Sequence, residues 1–456
     1  MLTLIVLVVL GVLAMVSPML RIEKGLGFLV RAGLLLAVGC LFVDVGIPSF
    51  GMADFDAYAK ALSGLFLGLI FLLSLYLPAY HKEPSSRLSD YYALLLFSSV
   101  GALLMVSFSH VVMLFLGIEI LSIPLYVLAS SRIGDSSSQE AGLKYFLLGS
   151  FASGILLFGM ALMYAGCGHL TLPEIGHFMG SQVGNMPTPF LAGLLLVCVG
   201  LFFKVGVIPF HFWAPDVYEG APTVYTAFMA SIAKLAAFGA LLRLLMYTGS
   251  GAIGHWGVLA MGLSVLSMVV GNLMALQQTS LKRLLAYSSI AHAGYLMLTT
   301  LAVGSAAIHA FLIYGVAYAL ASIGALLVVG LREDQMGHVS LKGLAKQSPL
   351  LAGVLITSVF SLAGIPPFGG FFGKYLVFAS AIQAGYVWVV LVAVFASVIG
   401  AVYYLRLLPE IFVSDDADPM VLSVGVQILA VILIVGNLLA GPLSGVLLSI
   451  WRVAAL

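Results

Sequence analysis

The sequence predicts an all-α fold, a polytopic bundle of membrane helices. Of its 456 residues, 62% are hydrophobic and only 8% are charged, whereas an ordinary soluble domain carries roughly 25% charged residues. Apolar runs of about 20 residues, long enough to cross the roughly 30 Å hydrocarbon core as helices, recur from one end of the chain to the other. The sequence lacks the alternating pattern of a membrane β-barrel. These observations exclude a soluble enzyme.

Polar breaks divide the apolar runs into about fourteen predicted membrane helices, with outside loops expected at 167–189, between the sixth and seventh, and near 248–254, between the eighth and ninth. The first, residues 1–20, has no basic segment before its apolar run, so we expect a retained helix rather than a cleaved signal peptide. Lys and Arg concentrate in the odd-numbered loops, and the positive-inside rule then places these loops in the cytoplasm and both termini outside. The basic residues that set this orientation are Arg21, Lys24, Lys82, Arg87, Arg132, Lys282, Arg283, Arg332, Lys342, Lys346 and Arg406.

A short motif occurs twice along the chain. GVIPF begins at Gly206 in the predicted seventh helix (190–212), and GIPPF begins at Gly364 in the twelfth (350–381). Two membrane helices interrupted by Gly and Pro at corresponding places are typical of inverted-repeat transporters. We therefore predict that helices seven and twelve are broken and that helices four to eight and nine to thirteen form two inverted repeats. The alternative is two coincidental proline kinks.

This repeat gives the predicted domain organisation. Residues 1–90 form an N-terminal three-helix segment, residues 91–247 the first repeat, residues 248–410 the second, inverted repeat, and residues 411–456 the C-terminal fourteenth helix. No stretch between them is long and polar enough to form a soluble domain.

Four ionisable residues fall near the middle of predicted membrane helices: Glu119, Lys204, Lys234 and Lys374. A charge at this depth costs from about 3 to over 10 kcal/mol, so it normally faces the bundle interior and has a functional role. The alternative is a lysine that snorkels to the interface. The helix around Lys204 extends roughly 20 Å on one side and about 12 Å on the other, which is far for snorkelling, whereas Lys374 follows a helix break and lies nearer an interface.

Prolines in the two broken helices leave backbone carbonyls without their usual donor. Pro209 has no N–H to donate to the Val205 carbonyl, so the backbone beside Lys204 offers an acceptor to water or to an ammonium. In the second break, Pro366 and Pro367 likewise have no N–H to donate to the carbonyls of Leu362 and Ala363.

Three further residues are candidates for a proton relay. His211 follows Lys204 on the seventh helix, and His292 lies inside the tenth; a neutral imidazole can pass protons near pH 7. A lone histidine among apolar residues is as often a hydrogen-bonded packing residue, and both interpretations stay open. Lys144 lies about one turn into its helix, so an ammonium that snorkels to the interface is the alternative to a relay.

The three cysteines offer no site for a metal or a cluster. Cys40, Cys167 and Cys198 lie far apart, without the CxxC spacing that iron-sulfur clusters and zinc sites use. We therefore expect no cofactor and no metal in this chain.

The chain contains three long composite motifs: FKVGVIPFHFWAPDVYEGAPTVYTAFMASIAK, NLMALQQTSLKRLLAYSSIAHAGYL and SLAGIPPFGGFFGKYLVF. They resemble those of the antiporter-like membrane subunits N (subunit 2) of respiratory complex I, the NADH:quinone oxidoreductase. The similarity covers about residues 90–410, and the lysines at positions 234 and 374 agree with subunit N rather than with its sister subunits.

The resemblance implies a proton-translocating subunit of that oxidoreductase. In such subunits the glutamate matching Glu119 pairs with the lysine matching Lys204, and the lysine matching Lys234 connects toward the one matching Lys374. These groups form part of a hydrated polar axis along the membrane plane. Lys144 and His292 also fall in family-like motifs.

The resemblance also implies partners and a location. NADH, FMN, iron-sulfur clusters and quinone are expected in partner subunits, and the direct partners are other membrane-arm subunits and the lipid bilayer, with no nucleic acid. We expect the bacterial inner membrane, with an organellar inner membrane or thylakoid as the alternative. Three other functions stay open: a cation/proton antiporter subunit of an Mrp-type or hydrogenase complex, an inert scaffold, and a solute carrier.

Overall fold

The computed structural model describes residues 1–22, 25–43, 51–81, 85–182, 186–302, 304–333, 339–413 and 419–451, and these ranges contain helices and no strand. Lys24 and Lys82, which contribute to the predicted orientation, lie outside them. The helices are α1 Leu2–Leu20, α2 Leu26–Cys40, α3 Ala57–Tyr80, α4 Ser85–Ser107, α5 Val111–Ala129, α6 Ser136–Cys167, α7 Leu172–Ser181, α8 Thr188–Val205, α9 Trp213–Gly220, α10 Thr223–Phe228, α11 Lys234–Leu276, α12 Leu281–Met297, α13 Ser305–Arg332, α14 Leu344–Gln347, α15 Pro349–Ala363, α16 Gly369–Gln383, α17 Val387–Leu405, α18 Leu407–Phe412, α19 Val424–Leu439 and α20 Ser444–Trp451.

The helical membrane architecture predicted from the sequence is confirmed. Within the described ranges, 10 helical segments are long and apolar enough to cross a membrane, and three shorter apolar helices accompany them. The number of membrane crossings, fourteen, stays a prediction. A further short helix, α7, occupies the segment that we expect to be an outside loop between the sixth and seventh membrane helices.

One predicted loop is wrong. The sequence pattern places a loop near residues 248–254, between the eighth and ninth predicted helices, whereas helical backbone continues through these residues as part of α11. Glycine costs only about 1 kcal/mol relative to alanine inside a helix. The glycines of this segment are therefore too weak a signal to end a helix with long apolar flanks.

The chain forms two compact units. The first consists of Met1–Ser74, Glu83–Gly206 and Ile232–Leu259. Its helices approach closely where they carry glycine: a side chain on Gly193 of α8 would lie only 2.4 Å from the Met163 backbone nitrogen of α6. Such small-residue contacts let membrane helices pack tightly, because the lipid supplies little hydrophobic driving force between them.

The second unit consists of Leu75–Lys82, Val207–Ser231 and Ala260–Leu456. At its centre lies α13, whose apolar span is 94% buried by the surrounding chain. Helices α10, α15, α16 and α19 pack against it. The domain boundaries that we predict at residues 90, 247 and 410, and the inversion of the repeats, stay predictions.

Both predicted helix breaks are present and share one geometry. After α8, Gly206 adopts the left-handed conformation (φ 73°), and its N–H donates to the carbonyls of Phe202 and Phe203. After α15, Gly364 adopts the same conformation (φ 83°), and its N–H donates to the carbonyls of Phe360 and Ser361. A cis X-Pro bond follows each glycine, at Ile208-Pro209 and at Pro366-Pro367. A left-handed residue after the last helical turn is the usual glycine stop signal, so the repeated GxxPF-like motif ends a helix in both places.

Candidate functional site

In the first unit, Lys204 lies in the last turn of α8 and is only 6% exposed. Its Nζ donates to the Ser122 hydroxyl (2.8 Å) and to the Tyr126 hydroxyl (3.1 Å), both on α5. The ammonium also lies 5.4 Å from the centre of the Tyr126 ring and 5.6 Å from that of Tyr145. Hydroxyls and aromatic faces thus stabilise a buried cation that lipid would not tolerate.

Glu119 lies on the same face of α5 as the hydroxyls that bind Lys204. It precedes Ser122 by three residues and Tyr126 by seven, which is the helical spacing of side-chain neighbours. Its Oε1 is buried and has no hydrogen-bond partner. Among the described residues no carboxylate lies within 4.0 Å of Lys204 Nζ, although Glu119 is close enough to interact with it electrostatically. The implied pair is therefore separated, with the lysine held by neutral groups.

Lys234, the third candidate, follows an irregular turn. The five residues Met229–Ala233 form a π-helical segment between α10 and α11, and Lys234 is the first residue of α11. Only 3% of it is exposed. π-Helical turns inside helices are frequent at functional sites, so this lysine combines burial with a local irregularity that the sequence pattern does not reveal.

In the second unit, Lys374 on α16 is 6% exposed and is bound to the backbone of the broken helix. Its Nζ donates to the carbonyls of Leu362 (3.0 Å) and Ala363 (3.1 Å) and to the Ser397 hydroxyl (2.8 Å). These two carbonyls are those that the proline pair deprives of donors, so the predicted free acceptors bind this ammonium.

Gly364 makes this approach possible. A Cβ on Gly364 would lie 3.0 Å from Lys374 Cδ and 3.2 Å from its Nζ. The glycine therefore serves twice, since its left-handed backbone ends α15 and its missing side chain leaves room for the ammonium. The face of the Tyr295 ring, 5.0 Å from Nζ, completes the binding site of this lysine.

His292 belongs to a hydroxyl network in the second unit. Its Nδ1 is 2.6 Å from the Tyr314 hydroxyl and its Nε2 is 3.1 Å from the Tyr404 hydroxyl, which also bonds to Ser288. The imidazole packs edge-on against the Tyr295 ring (5.8 Å), the ring that faces Lys374. Two hydroxyl partners allow the imidazole to take a proton on one nitrogen and release one from the other.

The other relay candidates differ from His292. Lys144 forms an ion pair with Glu140 one turn earlier on α6 (2.7 Å), and both side chains are substantially exposed, which is the geometry of an ordinary surface pair. His211 follows the helix break and has a buried Nδ1 without a hydrogen-bond partner. Its ring packs against Phe212.

Several groups of the site are invisible to reasoning from charge alone. Ser122 and Tyr126 are uncharged, yet they share the helical face of Glu119, so their spacing was a usable signal. Ser397 and Tyr295 carry no such signal, because only tertiary packing brings them to Lys374.

The sequence also gives no sign of a buried ion pair between Lys282 and Glu333. The sequence places Lys282 with the loop charges, but the side chains of Lys282 and Glu333 are each 2% exposed and form an ion pair (3.2 Å) in the second unit.

The chain is similar in sequence to known membrane proteins. The sequence model of the family described as NADH:quinone oxidoreductase/Mrp antiporter, transmembrane, matches residues 109–400. The NADH-quinone oxidoreductase subunit N of Flavobacterium johnsoniae is 39% identical over 431 residues, which cover 91% of this chain and 92% of that protein. That of Trichlorobacter lovleyi is 36% identical and covers 98% and 94%.

Solved structures show the same similarity. A chain of respiratory complex I from Thermus thermophilus superimposes with a TM-score of 0.81 at 34% identity, covering 98% of this chain and 99% of that one. A chain of the Mrp complex from a Dietzia species superimposes with a TM-score of 0.83 at 20% identity. The second match shows a common fold and nothing more.

Proposed function

Because the chain belongs to the NADH:quinone oxidoreductase/Mrp antiporter transmembrane family, we propose that it is the proton-translocating membrane subunit N of an NADH:quinone oxidoreductase. In this role it couples electron transfer in other subunits to proton movement. NADH, FMN, iron-sulfur clusters and quinone belong to those partners. The chain assembles with the other membrane-arm subunits in the bacterial inner membrane, with both termini outside.

One observation carries the proposal: two buried lysines lie at two helix breaks and are bound by neutral groups. Lys204 is bound by hydroxyls and Lys374 by backbone carbonyls and a hydroxyl. A buried ion pair would hold its proton tightly, whereas an ammonium held by neutral acceptors can release it without leaving a buried carboxylate unpaired. Such lysines suit reversible proton transfer.

The mechanism begins at Lys204 and Glu119. A charge that arrives from a neighbouring subunit changes the attraction between them, and the ammonium moves between the Ser122 and Tyr126 hydroxyls and the unpartnered Glu119 Oε1. When the ammonium leaves the carboxylate it loses an attraction that favours its charged form. Lys204 then passes its proton toward Lys234.

Lys374 completes the path at the second break. His292 and its tyrosine partners supply proton-carrying groups near Lys374, which exchanges its proton with water on one side of the membrane. His211 and Lys144 are auxiliary relay candidates. The helix breaks at Pro209, Pro366 and Pro367 expose the backbone acceptors that water needs to enter.

The test replaces Lys204 or Lys374 with Ala in the intact complex. Proton pumping per electron in sealed vesicles is expected to fall for both variants, while Lys346→Ala, at an exposed lysine of the same chain, retains it. Unimpaired pumping in Lys204→Ala and Lys374→Ala would overturn the proposal.

Two related measurements separate this function from a scaffold and from a cation/proton antiporter subunit. A scaffold predicts that Glu119→Gln lowers the abundance of the complex without changing activity per assembled complex. A cation/proton antiporter subunit predicts ion exchange in vesicles without NADH oxidation.

A further inference from the structure

A buried amide in the second unit binds two tyrosine hydroxyls at once. Asn272 lies on α11 and is only 1% exposed. Its Nδ2 donates to the Met268 carbonyl (2.7 Å) and to the Tyr295 hydroxyl (3.1 Å). Its Oδ1 accepts from the Tyr403 hydroxyl (3.0 Å). The amide therefore connects α11 to α12 through one tyrosine and to α17 through the other.

The Met268 carbonyl determines which end of this amide is the nitrogen. A backbone carbonyl only accepts hydrogen bonds, so the end of the amide that faces it must be the NH2 group. The second hydrogen of Nδ2 then goes to Tyr295, whose oxygen accepts it. Oδ1 carries no hydrogen, so Tyr403 must donate its own. One tyrosine is thus held as an acceptor and the other as a donor.

The Tyr295 side of the amide leads to Lys374. The Tyr295 hydroxyl bonds to the Ser397 hydroxyl as well as to Asn272. Because Tyr295 accepts from the amide, its own hydrogen can go to Ser397. Ser397 also accepts from Lys374 Nζ at 2.8 Å, and the Tyr295 ring faces the same ammonium at 5.0 Å. Asn272 therefore orients a hydroxyl whose next partner binds the ammonium.

The Tyr403 side of the amide leads to His292. Tyr403 gives its only hydrogen to Asn272, so it is the acceptor in its bond with the neighbouring Tyr404 hydroxyl. Tyr404 then has no second hydrogen and must accept from its other partners, Ser288 and His292 Nε2. If Ser288 supplies the hydrogen to Tyr403 instead, Tyr404 must donate to Ser288. In both cases His292 Nε2 is a donor.

These roles determine the tautomer of His292. Since Nε2 donates to Tyr404, it carries the hydrogen, and the neutral imidazole has its lone pair on Nδ1. The Tyr314 hydroxyl lies 2.6 Å from Nδ1 and donates to it. The hydrogen bond at one imidazole nitrogen commonly sets which nitrogen is protonated, and here that bond is set in turn by an amide on another helix.

We propose that Asn272 is a positioning residue for proton transfer, which fixes the tautomer of His292 and the direction of the hydroxyl beside Lys374. The amide itself neither gains nor loses a proton in this role. A proton that His292 takes up binds to the lone pair of Nδ1, on the Tyr314 side, and the imidazole becomes an imidazolium. This inference rests on the proposed function, since it concerns how the same groups are prepared to carry protons.

The first test is Asn272→Ala in the intact complex, with proton transport in sealed vesicles measured per assembled complex. Without the amide, Tyr403 can turn its hydrogen to Tyr404, which reverses the bonds up to His292 and leaves Nδ1 without its lone pair. Proton transport is expected to fall at least about tenfold. In serine proteases, loss of the group that fixes the histidine tautomer lowers the rate by about 10⁴.

Asn437 on α19 of the same unit offers a matched control. It is 0% exposed, and its Nδ2 donates to the carbonyl four residues earlier, that of Leu433 (2.9 Å), as Asn272 does with Met268. Its Oδ1 has no hydrogen-bond partner. Asn437→Ala thus removes a similar buried amide without releasing a hydroxyl, and it should retain transport. Equal transport in Asn272→Ala and Asn437→Ala would overturn the inference.

The tautomer is the readout that a purely structural amide would leave unchanged. Nitrogen NMR of the histidine-labelled complex distinguishes the two neutral tautomers, and His292→Gln identifies the His292 signals by their loss. The Nε2–H form is expected in the unaltered complex, and the Nδ1–H form or a mixture in Asn272→Ala. Tyr403→Phe removes the first hydroxyl after the amide and should have the same effect, which decides the question if Asn272→Ala does not assemble. An unchanged tautomer in these variants means that the inference is wrong.

Failure of this inference is distinguishable from failure of the proposed function. Full transport in Asn272→Ala together with lost transport in Lys374→Ala overturns the role of the amide and leaves the proposed function intact. Full transport in Lys374→Ala overturns the proposed function itself.

Discussion

Replacement of Gly364 with Ala tests whether the helix break holds the Lys374 ammonium in its working position. Two effects are expected. The left-handed backbone at φ 83° costs a residue with a side chain roughly 1–2 kcal/mol. The new Cβ, 3.0 Å from Lys374 Cδ and 3.2 Å from Nζ, also pushes the ammonium away from its carbonyl acceptors.

The size of the second effect follows from the contacts that are lost. Hydrogen bonds to charged groups contribute about 1.5–3 kcal/mol each, and each 1.36 kcal/mol changes a population tenfold. Loss of one bond to Leu362 or Ala363 therefore lowers the population of the bound ammonium by about ten- to a hundredfold. Proton transport by assembled complexes is expected to fall accordingly.

The chain offers a matched control at Gly385. This glycine has the same left-handed conformation (φ 89°), and a Cβ there would meet nothing within 4 Å. Gly385→Ala should therefore show the backbone penalty alone, as a similar loss of thermal stability with normal transport. Equal proton transport in Gly364→Ala and Gly385→Ala would refute the reasoning, because the contact with Lys374 would then have no consequence.

Two further predictions concern the first unit. Tyr126→Phe removes one of the two hydroxyls that bind Lys204 and keeps the ring, so proton transport should fall by about tenfold or more, whereas the exposed Tyr164→Phe leaves it unchanged; equal transport in the two variants would contradict the role of the hydroxyl. Asp56→Ala strips the buried Arg243 guanidinium (1% exposed) of its 2.8 Å ion pair. It should destabilise the fold by about 3–5 kcal/mol, seen as lower abundance of complex with normal transport in what assembles; unchanged abundance would contradict this.

The sequence predicts the architecture well because its strongest signals are local. A helix of membrane length is visible in composition alone, and the two Gly/Pro motifs predict both breaks. The carbonyls that bind Lys374 were also predictable, because a proline has no N–H to donate to the carbonyl four residues before it. The continuous helix α11 was not, because weak glycine penalties cannot say where a long apolar helix ends.

Partners that come from distant segments were beyond sequence reasoning. Depth in a helix identified Glu119 and Lys204, but nothing local shows that Tyr145 would face the ammonium. The Lys282–Glu333 pair was missed for a similar reason. Each residue lies at a helix end, where exposure is the usual expectation, and only packing of several helix ends around them removes both from water.

The left-handed glycines that end α8 and α15 place each lysine at the negative pole of a helix dipole. Lys204 lies in the last turn of α8, and Lys374 is bound to the final carbonyls of α15. The partial charge of about −0.5 at such a pole offsets part of an ammonium's charge. This partial charge is the same whether the lysine is protonated or neutral. In the proposed function, a helix end whose lysine has lost its proton still attracts hydrogen-bond donors, of which water is one. The proposal therefore implies that hydration of these helix ends is coupled to the charge of the lysine, and that each proton that leaves is followed by solvent.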